Sequence, residues 1–244
     1  MYFLFNFLVG AVQLTQPLEE QPIAKPIVIM LVLVILSLAP FLLMMTTSFV
    51  KVAVVFSMIR QALGTQQIPP NQIVTGLALI LTIYIMLPVG AQVYEQVQGV
   101  IRPQESNQDM LSQASIDSVK RAVEAGKEPV RAFLTKHANP KDRALFYNMA
   151  KQLRGNITTY DIGENDFIVL MPAFIVSELA QAFQIGFVLY LPFLVLDMVV
   201  SNVLLSMGMF MVSPITVALP FKLLLFVLVD GWFLITKGLV QGYM

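Results

Sequence analysis

Apolar residues run along this chain in long stretches, not in the short alternating or helically spaced patterns of a water-soluble fold. Four stretches stand out, at about 27–59, 73–94, 167–211 and 215–240. Each contains or approaches the roughly 20 residues that a helix needs to cross a bilayer core. The first is too long for one simple span and holds Pro40; the third is longer still and holds Pro172 and Pro192. Proline lacks a backbone donor and crowds the preceding turn, so both stretches are expected as broken, multi-part helices. The pattern predicts an all-α membrane protein of proline-broken long helical hairpins, one over 27–94 and one over 167–244.

Between the hairpins lies a polar insert, 95–166, with ten Lys/Arg and ten Asp/Glu, which is 20 of the chain's 30 charged residues. Ser115–Ala125 and Arg143–Leu153 carry apolar residues at helical spacing, while Asp117-Ser118-Val119-Lys120 and Asn139-Pro140 read as turn or cap signals. The insert is therefore expected as a small helical domain outside the apolar layer. Residues 1–26 are expected as a leader and linker. Met1–Val12 is apolar without the basic start of a usual signal peptide, and Gln16–Pro26 has three prolines that resist helix formation. With four spans, both termini and the insert share one side. Arg60 beside the 61–72 turn and Lys222 beside the 212–221 turn favour a cytoplasmic location for those turns.

Composition agrees with the pattern: 57% of residues are hydrophobic and 12% charged, against about 45–50% and about 25% in soluble domains. Fifteen basic residues balance fifteen acidic ones, so nothing points to a nucleic-acid partner. The absence of cysteine removes disulfides, thiolate nucleophiles and Cys-ligated metals.

Several ionisable residues sit inside the apolar stretches: Lys51, Arg60, Glu178, Asp197, Lys222, Asp230 and Lys237. A charge at a bilayer centre costs on the order of 2.5–3.5 kcal/mol on insertion scales, so these side chains need protein partners, water or an interface. On one continuous helix Asp230 and Lys237 would differ by about 20° and form a pair or a jointly buried stripe. Lys51 and Arg60 fall on opposite helix faces and cannot share a partner. Two readings stay open for this set: snorkelling to headgroups, or buried contacts between helices or subunits.

The turn Met207-Gly208-Met209-Phe210-Met211-Val212-Ser213-Pro214 concentrates thioethers and a ring between two apolar helices. Flexible, polarisable Met side chains can close an irregular hole, and an apolar constriction excludes ions by dewetting; ordinary apolar filler is the competing reading. No phosphate-binding loop, zinc-binding His-Glu-x-x-His or nucleophile elbow is present, and His137 reads as a solvated side chain of the insert. Neither a catalytic residue nor a metal or other cofactor is expected.

Longer strings add what periodicity does not. Thr47–Lys51, Arg60–Asn71, Leu170–Phe174, Ser177–Leu179, Ala182–Phe187, Leu191–Asp197, Pro220–Trp232 and Lys237–Leu239 closely resemble the FliP/SctR family of type III secretion export gate subunits, flagellar and injectisome. The resemblance covers 40–94 and 167–244. It implies a pore-forming, multi-pass inner-membrane subunit that passes unfolded secreted proteins, with the insert in the periplasm. It also implies assembly with copies of itself as a pentamer, with FliQ/SctS-like and FliR/SctT-like subunits, and with an FlhB/SctU-like switch protein. Met209, Phe210 and Met211 match the family's channel gasket, with Phe210 standing where Met is usual. Under this resemblance Glu178, Asp197 and Lys222 become expected intersubunit contacts. A proton-coupled transporter using Glu178, Asp197 or Asp230, and a scaffold that lines no channel, are the alternatives.

Overall fold

A computed structural model describes residues 24–64, 69–100, 113–154 and 162–244. The described residues form eight α-helices and no strand: α1 (Ala24–Thr46), α2 (Phe49–Ala62), α3 (Asn71–Val100), α4 (Gln113–His137), α5 (Pro140–Arg154), α6 (Phe167–Ser206), α7 (Pro214–Leu228) and α8 (Gly231–Gln241). The all-α expectation therefore holds. The expected leader lies outside the described residues, as does the linker up to residue 23. Ala24–Pro26 already belong to α1, where Pro26 in the first turn lacks only a donor that the helix would not have used.

Prolines do not break the long helices as expected. α1 runs through Pro40, and α6 continues for 40 residues through both Pro172 and Pro192. In an apolar layer the helix is the one local structure that satisfies nearly all of its own backbone, so a lost hydrogen bond costs less than unwinding. The breaks fall elsewhere. α1 gives way to α2 at Thr47-Ser48. The fourth apolar stretch bends by 58° between α7 and α8, at Asp230, whose φ of 51° and ψ of 52° are left-handed. Asp is one of the few non-glycine residues that visits this region at modest cost. α3 and α6 are each long and apolar enough to span a bilayer alone; Pro40–Thr46 with α2, and α7 with α8, qualify only as pairs.

The chain divides into two compact units. The first takes in the described residues up to Thr47 and those of Val89–Ser177. Here Asn139 caps α5: its side-chain oxygen accepts the Lys141 N–H at 3.0 Å, ahead of Pro140 in the first helical position. Its own N–H donates to Ser177 Oγ at 2.8 Å, and Ser177 Oγ lies 2.6 Å from Asp142 Oδ2 and 2.7 Å from Ala173 O, either of which can accept its proton. Phe133 of α4 packs on Phe174 with ring centres 5.7 Å apart, and the Arg131 guanidinium lies 5.3 Å over the Phe167 ring. His137, expected as a solvated side chain, is half-buried with its ring 4.7 Å from that of Phe133. Asp117–Lys120, expected as a turn, lies inside α4 because the helical spacing already begins at Gln113.

The second unit, Ser48–Pro88 and Glu178–Met244, holds the larger apolar core. Val52, Val55, Phe56 and Ile59 of α2 meet Val74 and Ala78 of α3, Ala182 and Phe193 of α6, and Phe226, Ile235 and Leu239 of α7 and α8. Trp232 edges onto Phe226 and Phe56, with centroids 5.2 and 6.2 Å away. Gly186 lets α6 approach α2: a Cβ there would press on Met58, its Cε at 2.8 Å and its Cβ at 3.1 Å. Gly186→Ala is expected to lower stability by about 1–3 kcal/mol, as overpacking of a closed interface does. Denaturant unfolding in detergent reads this directly, and an unchanged midpoint would mean that Met58 simply swings aside.

Candidate functional site

α2 is apolar on the face it turns to the core except at Lys51, which is 3% exposed. Its ammonium lies 3.0 Å from Glu178 Oε1 on α6, and Glu178 is fully buried. That contact is Coulombic, since Oε1 has no donor aligned on it. Glu178 Oε2 accepts the hydroxyl proton of Tyr243. Tyr243 also places its ring under Lys51 Nζ, 4.2 Å from the centroid. One buried carboxylate thus meets a cation and a hydroxyl, and the cation rests on the π-face of the ring that carries that hydroxyl. Isolated burial of either charge would cost several kcal/mol, which is why both must be mated in the same place.

A second pair closes the other end of α2. Lys222 of α7, 3% exposed, lies 2.6 Å from Asp197 Oδ2 of α6 and donates to the Ala62 carbonyl at 3.2 Å. That carbonyl is one of the last of α2, where helix geometry leaves acceptors unpaired and the dipole is negative. Gly64 lies beside this contact, and its backbone, not the space around it, calls for glycine. Its φ of 74° reverses the chain, and a Cβ at this position would sit 3.7 Å from Lys222 Nζ. A single ammonium therefore serves both a carboxylate and a helix terminus, tying α2, α6 and α7 together. Lys222 is accordingly buried within α7, so it casts no vote on which side of a membrane the neighbouring turn occupies.

The expected partners of these charges thus lie within the same chain. Glu178 has Lys51, and Asp197 has Lys222. Arg60 sits half-buried in the last turn of α2, where its charge complements the dipole. The expected Asp230–Lys237 pair does not form. The left-handed residue at 230 breaks the continuous helix that the projection assumed, both side chains are exposed, and Lys237 lies 5.6 Å over the Phe233 ring.

The methionine turn, 207–213, joins α6 to α7. α6 ends with the Gly208 N–H on Leu205 O and the Met209 N–H on Leu204 O, each at 3.0 Å, and with Gly208 at a φ of 72°. This is the Schellman arrangement, in which a left-handed residue satisfies the last helical carbonyls. Ser213 and Pro214 then start α7. Met207, Met209, Phe210 and Met211 are all exposed, Met211 as fully as in an extended chain. An irregular apolar knob thus protrudes from rigid helix ends. Among the described residues no group of three or more His, Cys, Asp or Glu is placed to hold a metal ion.

Sequence reasoning missed Tyr243 and the Ala62 terminus. Tyr243 follows Ile235 and Leu239 at four-residue spacing, one buried face continued past the end of α8, and that spacing was the available signal. Gly64 two residues after Ala62 was a readable helix stop. Lys51→Ala is expected to destabilise the protein by about 3–5 kcal/mol, because it strands a buried carboxylate. Lys51→Met combined with Glu178→Leu should recover most of that loss. Unfolding midpoints of the two variants decide the matter, and equal losses would mean that the pair is not coupled.

The FliP family model matches residues 32–239, which include both ion pairs and the methionine turn. The chain is 47% identical over 215 residues to Yop proteins translocation protein R of Yersinia pestis, covering 88% of this chain and 95% of that protein. Flagellar biosynthetic protein FliP of Bacillus subtilis is 40% identical over 225 residues, 92% of this chain and 95% of its own. Hypersensitivity response secretion protein HrcR of Ralstonia nicotianae is 41% identical over 210 residues, 86% and 94% respectively. With a family model matched over most of its length and relatives at these identities, this chain belongs to the FliP family.

Proposed function

We propose that this membrane protein, a component of a type III secretion export apparatus, is a pore-forming subunit of the export gate that passes unfolded secreted proteins across the bacterial inner membrane. The exposed apolar turn, 207–213, carries this reading. A knob of thioethers held between two capped helix ends has little to gain as a monomer surface, whereas copies arranged about an axis would bring their knobs together. Such a ring is narrow, apolar and deformable: it dewets when empty and yields around a passing chain. Phe210 makes this member of the ring stiffer than a third Met would, since an aromatic side chain has fewer rotatable bonds.

The partners follow from what a single chain leaves uncovered. α3 and α6 expose Ile80, Ile83, Leu87, Phe187, Val188 and Val195, enough apolar surface to face lipid, further copies, or the FliQ/SctS-like, FliR/SctT-like and FlhB/SctU-like subunits. Glu178, Asp197, Lys51 and Lys222 serve in this reading as the braces that hold one subunit rigid. Arg60 and Asp230, at helix ends, remain for contacts outside the subunit. In this reading the insert lies in the periplasm and the spans in the inner membrane. Engagement of Glu178 and Asp197 by lysines favours this reading over a proton relay, which needs carboxylates free to load and unload.

Changing Met209, Phe210 and Met211 together to Ala widens the constriction and removes its flexible filling. The assembled complex in planar bilayers is expected to pass small ions at rest, at least about tenfold above the unaltered complex, as dewetting fails. A resting conductance that does not change would remove the turn from the channel.

A further inference from the structure

We propose that α8 is a two-state strap: in this structure it is bent at Asp230 and latched by Tyr243, and when the latch is undone it swings out to continue α7 as one helix. The joint is a single residue. α7 closes with the Val229 N–H on Leu225 O and the Asp230 N–H on Val227 O, and α8 opens with the Leu234 N–H on Asp230 O. Among the described residues Asp230 is the one non-glycine residue with a positive φ, at φ 51° and ψ 52°. Its side chain makes no capping hydrogen bond to the start of α8, so that means of offsetting a left-handed turn is not used.

A left-handed residue of this kind persists only where its surroundings hold it. Here the hold comes from both ends of α8. Next to the joint, Gly231 is pressed against Phe226: a Cβ there would crowd the ring, 2.7 Å from Cζ. Trp232 edges onto Phe226 and Phe56. Ile235, Leu239 and Tyr243 then follow along one buried face, while Phe233, Leu234, Lys237 and Gln241 are exposed. That face ends on a polar contact, where Tyr243 donates to Glu178 Oε2 and lays its ring under Lys51 Nζ. The contact stands at the far end of the lever, where it has most purchase on the bend.

The sequence also suits the straight form. α7 has 15 residues and α8 has 11, roughly 22 and 16 Å of helix, so neither alone crosses a hydrocarbon layer of about 30 Å. Without the bend, Pro214–Gln241 is a rod of roughly 42 Å, and the two helices are long and apolar enough to span only when taken together. In an apolar layer a continuous helix satisfies more of its own backbone than a broken one. Bent, α8 has its packing and its latch; straight, it has an unbroken backbone and no left-handed residue. The bend and the buried ion pair are thus one device: a disturbance at Glu178 loosens α8, and straightening at Asp230 uncovers Glu178. This holds whether or not the subunit lines a channel.

The chain has no cysteine, so Thr216→Cys and Gln241→Cys, both at exposed positions, give two spin-labelling sites. Double electron–electron resonance on the full chain in detergent then measures the distance between α7 and α8. With the 58° bend the two backbones lie roughly 33 Å apart, and in a straight helix roughly 38 Å. The labelled chain is expected to give one narrow distance. Tyr243→Phe, which removes only the hydroxyl, is expected to add a population roughly 5 Å longer. Asp230→Val, with the latch intact, should add the same population, because a β-branched residue resists the left-handed region. If both variants keep the single short distance, the proposal is overturned. A distribution that broadens without a peak at the longer distance also overturns it, since α8 then frays instead of swinging.

Discussion

An ionisable group taken out of water must be met by an opposite charge or a hydrogen-bonding partner at the same place, and the second unit of this protein is arranged around that demand. Lys51 and Lys222 enter the core from α2 and α7, and each reaches a carboxylate of α6. Both carboxylates therefore sit on one helix and both ends of α2 are fixed against it, one through Lys51 and the other through the Ala62 carbonyl. Apolar packing among Val55, Phe56, Ala182 and Phe226 fills the space between. A buried charge left without its partner costs several kcal/mol, so the pairs restrict which turns of α2, α6 and α7 can face one another, and close apolar packing fills the space between them.

Meeting polar needs inwardly leaves the second unit with many large apolar side chains on its outside. Phe187, Val195, Leu224 and Phe233 are all exposed, a distribution a water-soluble protein could not sustain. Lipid can cover smooth helical faces, since chains of methylene groups adapt to any regular surface. It covers the 207–213 turn poorly, because backbone there departs from helix and its polar groups are not all satisfied locally. The turn is thus the feature that gains most from neighbouring protein, which is why the proposed channel is centred on it.

Much of this was legible in the residues. Continuous apolar runs gave the class, and Asn139-Pro140 marked the start of α5 because an Asn cap followed by Pro has few other uses. The charges were recognised as needing partners, but single-chain periodicity cannot say whether Glu178 finds Lys51 or a neighbouring copy: the pairing depends on 126 intervening residues and on the approach of α2 to α6 at Gly186. Proline was misleading for a physical reason. Its penalty is reckoned for helices in water, where unwound backbone is solvated; in an apolar layer unwinding costs more, so Pro172 and Pro192 stay inside α6. Conversely, Asp230 gave no warning, since an acidic residue reads as a charge before it reads as a left-handed hinge.

The length of α6 draws these strands together. Forty residues make a rod of roughly 60 Å, about twice the hydrocarbon thickness, so it cannot lie wholly in lipid unless steeply tilted. Its first part is clothed by α4 and α5, through Phe167, Phe174 and Ser177. Its next part carries the two braced carboxylates, Glu178 and Asp197. Its last part, from Val199 onwards, has few buried residues and ends in the methionine turn. What remains beyond Asp197 is too short to span a bilayer and too apolar to stand in water. Its helical face can be covered by lipid up to the turn, where the regular backbone ends; in the proposed assembly, neighbouring copies would take over there.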